Sequence, residues 1–205
     1  MPTIVTIGHS THSLSRFVEL LKQHDITALG DVRSKPYSRI NPQFNREDLK
    51  QALKEAGIAY VFLGKELGAR SEDPSCCEQG KVRYDRIALT EQFRVGVERV
   101  KEGATKFRLA LMCAEKDPLE CHRTVLVARR LAELGMDVQH VHADGRLESQ
   151  PEVNERLMRE LGLPECDLFR TREDVLKDAY EIQAERIAYT APEAADGAPA
   201  GGATG

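Results

Sequence analysis

The stretch Thr3-Ile4-Val5-Thr6-Ile7-Gly8-His9-Ser10-Thr11-His12-Ser13-Leu14-Ser15-Arg16-Phe17-Val18-Glu19-Leu20-Leu21 changes its hydrophobic period midway. Thr3 to Ile7 is a β-branched run ended by Gly8, the composition of a strand. From there Leu14, Phe17, Val18 and Leu21 recur at i, i+3, i+4 and i+7, one face of a helix that Ser13 can cap. A strand passing straight into an amphipathic helix is the first half of a βαβ unit.

The alternation continues outward. Ile26 to Val32 reads as the second strand. Asn45 opens a helix with Asp48 three positions on, Leu49, Ala52, Leu53 and Ala56 on its buried face and Gly57 as its stop. Ile58 to Leu63 is a third strand, apolar enough to be covered on both faces. Residues 64–83 read as a loop too long to be a mere connector. A helix over Tyr84 to Lys101, a strand over Phe107 to Cys113, a helix over Cys121 to Leu134 and a strand over Asp137 to His142 follow. Helices over Glu152 to Leu161 and Arg172 to Ile187 close the pattern. Such alternation predicts an α/β three-layer sandwich, with a mostly parallel sheet of about five strands and right-handed crossovers. We divide the chain into an α/β domain (1–165), a C-terminal helical extension (166–189) and an Ala/Gly/Pro-rich tail expected to be disordered (190–205).

Composition excludes several classes. The 205 residues are 41% hydrophobic, and 29 Lys+Arg against 33 Asp+Glu give a net charge of −4, which argues against a coat for nucleic acid, a coiled coil or a disordered chain. The longest apolar run, residues 56–64, falls short of the roughly 18 residues a membrane helix needs. The N-terminus has no basic signal-like region. Five cysteines do not make a disulfide scaffold, so a cytoplasmic protein with no membrane attachment is expected. Cations are nevertheless concentrated between Arg33 and Lys54, where Arg33, Lys35 and Arg39 stand out.

In open parallel sheets ligands sit beyond the carboxyl ends of the strands, and there the chemically capable residues fall. His9, Ser10 and His12 follow the first strand, Asp31 and Arg33 bracket the end of the second, and Cys113 and Glu115 follow the fourth. Cys121-His122-Arg123 starts the next helix, where free amides and the helix dipole favour an anion or a thiolate. Arg123 can hold an oxyanion bidentately. Three readings of this constellation stay open: a nucleophilic thiolate with His122 as base, a Cys113–Cys121 redox pair, or a metal site drawing on Cys113, Cys121, His122 and His9. The last lacks the paired short spacings of a structural zinc module, so neither a metal nor a cofactor is expected. Cys113 as a plain core thiol is the simplest alternative. Asp31 is either a general base or the group that orients Arg33; we favour the second. The Cys77…Arg83 spacing of a phosphatase loop lacks the preceding buried strand and is accidental. Glycine-rich dinucleotide and P-loop signatures are absent.

The motifs Thr6-Ile7-Gly8-His9-Ser10, Asp31-Val32-Arg33, Leu63-Gly64-Lys65-Glu66-Leu67-Gly68 and Cys113…Cys121-His122-Arg123 together resemble the bacterial family called domain of unknown function 488. The resemblance covers residues 6 to about 145. It implies a Rossmann-like domain in which His9, Ser10, Arg33, Glu66, Cys113, Cys121, His122 and Arg123 line one site. Many relatives continue Leu-Gly-Gly where this chain has Gly68-Ala69-Arg70. The expectation carried forward is an enzyme acting on a phosphate-bearing ligand, a nucleotide or nucleic acid. Cys121, Cys113, His122, His9 and Glu115 are its catalytic candidates; Ser10, Asp31, Arg33, Glu66 and Arg123 are its binding candidates. A non-catalytic nucleic-acid-binding module using residues 33–54, and a metal- or redox-sensing thiol protein, are the alternatives.

Overall fold

In the computed structural model, which describes residues 2–164 and 169–190, the β-branched run Thr3–Gly8 forms β1 and is buried from its second residue on. Leu14–Gln23 forms α1; the Ser13 side chain accepts the Arg16 amide, and Phe17, Leu20 and Leu21 pack onto Val5 and Ile7. Each such side chain contributes roughly 1.5–3 kcal/mol by leaving water. β2 (Ala28–Asp31), α2 (Arg46–Glu55) and β3 (Ala59–Phe62) complete this half.

The expected loop over 64–83 is partly structured. It holds α3 (Gly64–Leu67), a 3-10 turn at Pro74–Cys76 and a hairpin of β4 (Cys77–Glu78) with β5 (Lys81–Val82). The single helix expected from Tyr84 is two, α4 (Tyr84–Ile87) and α5 (Glu91–Lys106), because the Thr90 side chain accepts the Phe93 amide and starts a new helix. β6 (Leu109–Cys113) follows. The helix expected from Cys121 runs as a π-helix over Arg123–Ala128 before α6 (Arg129–Glu133). All six π-helical residues are buried, because this segment packs between the sheet and the last helix. β7 (Asp137–Val141), β8 (Leu147–Ser149), α7 (Gln150–Glu160) and α8 (Arg172–Ile187) complete the chain.

The sheet has six strands, not about five, in the order β3-β2-β6-β1-β7-β8. The first five are mutually parallel; β8 turns back antiparallel on β7. Helices α1 and α2 pack on one face, while α5, the π-helix, α7 and α8 cover the other, giving the three layers of an α/β sandwich. Val175, Ala179 and Tyr180 of α8 join the core of that second face. Thr190, expected in the tail, bridges to Lys81; residues 191–205 and Cys166 lie outside the described residues. Among the described residues no helix is long and apolar enough to cross a membrane.

β1 and β6 are neighbours whose chains leave toward opposite faces, the topology that opens a crevice at the strand tips. The tips stay tied beyond the strands: the amides of His9 and Ser10 donate to Cys113 and Ala114, each at 2.9 Å, and Val32 donates to Met112 at 3.0 Å.

Candidate active site at the tips of β1, β2 and β6

Cys113 is the last residue of β6, and the chain after it must return to start the π-helix. Arg123 fixes that return. Its guanidinium is fully buried, and it donates to the carbonyls of Glu115 at 2.7 Å and Lys116 at 3.3 Å. Gly8 leaves room for the loop: a Cβ there would stand 1.8 Å from the Glu115 carbonyl oxygen. The loop is thereby pressed against β1, and it brings Cys113, Glu115, Cys121 and His122 together with their ligand-type atoms all within 4.8 Å of one another.

The imidazole of His122 is the pivot. Its Nε2 lies 3.0 Å from the Val32 carbonyl, which only accepts, so Nε2 carries the hydrogen and Nδ1 faces the sulfurs. Nδ1 is 3.6 Å from Cys113 Sγ and 4.0 Å from Cys121 Sγ. Cys121 Sγ is in turn 2.8 Å from Glu115 Oε2, and it receives the Arg123 amide at 3.4 Å. The helix start therefore directs its amide at its own cysteine.

The cluster divides charge unevenly. Burial pushes the Cys113 thiol up, and the neighbouring Cys121 adds to the rise. Burial would also raise Cys121, yet the Cys113 hydrogen bond and the charges of Arg123 and His122 hold it well below an ordinary thiol. Burial works against the His122 cation, but contact with Cys121 outweighs it and raises this imidazole. The Glu115 carboxyl is raised by burial and then by its contact with Cys121.

Beside the cluster is a cleft of about 270 Å³ whose lining includes Cys113, Glu115, His122, Lys35, Arg70 and Tyr189. Arg70 stacks on the Tyr189 ring at 3.9 Å. A larger cavity of about 630 Å³ between the β4–β5 hairpin, the π-helix and α8 contains none of the four cluster residues. The smaller cleft is the one that meets the chemistry.

Other expected site residues take different roles. Arg123 is not an anion clamp, because its outer nitrogens are engaged by loop carbonyls and no part of it is exposed. Arg33 borders the cleft but is held by Asp31 through contacts of 2.9 and 2.7 Å and by the Phe44 carbonyl at 2.9 Å. Asp31, fully buried and also bound by the Tyr60 hydroxyl at 2.9 Å, orients Arg33 and cannot bind a ligand itself. His9 has both nitrogens engaged, by the Ser10 carbonyl at 2.8 Å and Arg33 at 3.3 Å, and its ring stacks on Phe44 at 4.3 Å. Burial chiefly lowers its pKa to about 4, and these contacts tie the turn after β1 to Arg33 and Phe44. Ser10 adopts a left-handed backbone, φ 48°, to make this turn. Glu66 is paired with Arg99 of α5 and does not line the cleft. Sequence reasoning missed Arg70 and Tyr189. Arg70 had one signal, its place in the overlong loop just after Gly68; Tyr189 had none.

The family model described as Domain of unknown function DUF488 matches residues 13–130, more than half of the chain and all four cluster residues. The chain belongs to the DUF488 family. Comparison with curated proteins and with solved structures found no match. The matched DUF488 region includes Lys35 and Arg70 but stops before Tyr189. The far wall of the cleft is thus supplied by the segment after the family match.

Proposed function

We propose that this DUF488 protein is a cytoplasmic enzyme acting on a phosphate-bearing ligand, a nucleotide or a nucleic-acid end. One observation carries the reading: the two thiols, the imidazole and the carboxylate meet beside a cleft whose wall holds Lys35 and Arg70. Lys35 makes no ion pair among the described residues, and Arg70 lies against an aromatic ring rather than a carboxylate, so both charges are free to meet an anion. Of the acidic groups in the lining, Glu115 turns onto Cys121 and Glu120 toward Gln183 of α8. Lys35 and Arg70 take the anion-binding role first given to Arg33 and Arg123. The cluster is the reaction centre.

Titration with inorganic phosphate and with a nucleoside monophosphate tests this. Saturable binding that weakens about tenfold or more in a Lys35→Ala, Arg70→Ala double variant is expected, each lost charge-assisted contact being worth about 1.5–3 kcal/mol before solvent screening. Absence of binding, or binding indifferent to the double variant, contradicts it.

The exposed Tyr37 and Ile40, 64% and 86% accessible in the loop that carries Lys35 and Arg39, favour a second reading in which this loop stacks against a single strand. Under that reading oligonucleotide affinity falls steeply with salt, with a slope set by the number of cations engaged, and Tyr37→Ala weakens it. Binding that is absent or insensitive to salt removes this alternative.

A further inference from the structure

We propose that Cys113, Cys121 and His122 bind a zinc ion, with Glu115 at a fourth, cleft-facing position that water or substrate can take. The proposal deepens the enzymatic reading above and rests on it for the role of that fourth position.

Zinc bonds to sulfur at about 2.3 Å and to imidazole nitrogen at about 2.0–2.1 Å, so in a tetrahedron a bound sulfur and nitrogen stand about 3.6 Å apart. Cys113 Sγ and His122 Nδ1 are 3.6 Å apart, and Cys121 Sγ and Nδ1 are 4.0 Å apart. The first spacing equals the edge of a coordination tetrahedron, and the second must shorten by about 0.4 Å to reach it. The Cys121–Glu115 contact, 2.8 Å, is shorter than such an edge and must open by somewhat less than 1 Å. Glu115 has solvent access on the rim although its carboxyl turns in toward Cys121, so it can make that adjustment, whereas the other three residues are buried.

The surroundings complete the site. A ligating histidine typically donates its second nitrogen to a carbonyl or carboxylate, which fixes the tautomer and aims the other nitrogen. His122 does this through the Val32 carbonyl at 3.0 Å. The loop carrying Glu115 is clamped by Arg123 and packed against Gly8. Two soft sulfurs, one imidazole and a displaceable oxygen suit zinc, and three firm protein ligands with an open fourth position are the pattern of a catalytic site. Paired short cysteine spacings belong to structural zinc modules. Here one sulfur comes from a strand end and the other from a helix start, and the fold closes the gap.

The test uses the reduced full-length chain, stripped with a chelator and titrated with Zn(II) against a chromophoric competitor. One ion per chain is expected, with affinity reduced at least about 100-fold in Cys113→Ala and in Cys121→Ala, and no more than about tenfold in Glu115→Gln. Co(II) in the same site should show thiolate charge-transfer bands and the strong visible bands of tetrahedral geometry. A readout needing no variant is alkylation followed by mass spectrometry: Zn(II) should shield Cys113 and Cys121 in the wild-type protein and leave Cys77 unchanged. Absence of stoichiometric binding, binding that survives both cysteine replacements, or no shielding overturns the proposal. Phosphate binding measured without metal is a separate arm: retained there while zinc fails, it leaves the enzymatic reading standing, and lost there while zinc binds, it removes that reading alone.

Discussion

Arg123 holds Glu115 by its backbone: the buried guanidinium donates to the Glu115 carbonyl at 2.7 Å and leaves the side chain of Glu115 free to face Cys121. The loop between the two cysteines has its shape because a cation at the helix start satisfies its carbonyls from beneath. The guanidinium therefore acts on the cluster through the loop and through its charge, while the Arg123 amide donates to Cys121 Sγ at 3.4 Å.

Replacing Arg123 with Ala should leave two carbonyls unsatisfied and a large buried void. A loss of about 3–5 kcal/mol is expected, measured by denaturant unfolding. Arg123→Lys should recover part of this by restoring one donor. Equal stability of wild type and Ala variant would refute the strut.

Gly8→Ala tests the same loop from the other side. The added carbon would meet the Glu115 oxygen at 1.8 Å, so the loop must move away from β1. A stability loss of about 1–3 kcal/mol is expected, together with faster alkylation of Cys121 as its cover lifts. Unchanged stability and thiol reactivity would contradict the close approach.

Asp31 and Arg33 form a buried pair that also anchors Tyr60. Asp31→Ala leaves an uncompensated guanidinium and should cost about 3–5 kcal/mol. Tyr60→Phe removes one hydrogen bond and should cost only about 1 kcal/mol. Melting and denaturant curves for both variants should show this order; the reverse order would place the stabilising contact elsewhere.

His140 is fully buried, with its nitrogens against the Thr6 hydroxyl at 2.8 Å and Gln150 Oε1 at 3.0 Å; the Thr124 hydroxyl, Arg123, Glu148 and His142 also face it. Burial chiefly lowers its pKa from 6.5 to about 4. The unfolded chain takes up this proton first, so the stabilisation is complete above about pH 6.5 and falls as pH drops toward 4. Between pH 7 and pH 5 the loss from this group should be about 2 kcal/mol. His140→Gln should lose less over the same interval than wild type, measured by denaturant unfolding at each pH. Identical slopes would contradict the assignment.

Periodicity made the first half of the fold legible, because the change from a β-branched run to i, i+3, i+4 spacing in residues 3–21 has no competing reading. β8 escaped because three residues, Leu147–Ser149, are too few to show alternation. The helix over 84–101 was read as one because residues 88–90 keep a helical composition, and only the Thr90 contact to Phe93 reveals the restart. At the site, the meeting of Cys113, Glu115, Cys121 and His122 was legible from strand tips and a helix start. The roles of Arg33 and Arg123 were not, since residue type says that a guanidinium stands there but not that Asp31 or a loop carbonyl already engages it. Arg70 and Tyr189 come from segments whose approach only the folded chain defines.

X-ray absorption at the zinc edge of the loaded, reduced protein tests the central claim most directly. Two sulfurs at about 2.3 Å and nitrogen or oxygen neighbours at about 2.0–2.1 Å are predicted, with one sulfur lost in Cys121→Ser. A shell containing nitrogen and oxygen alone would contradict it.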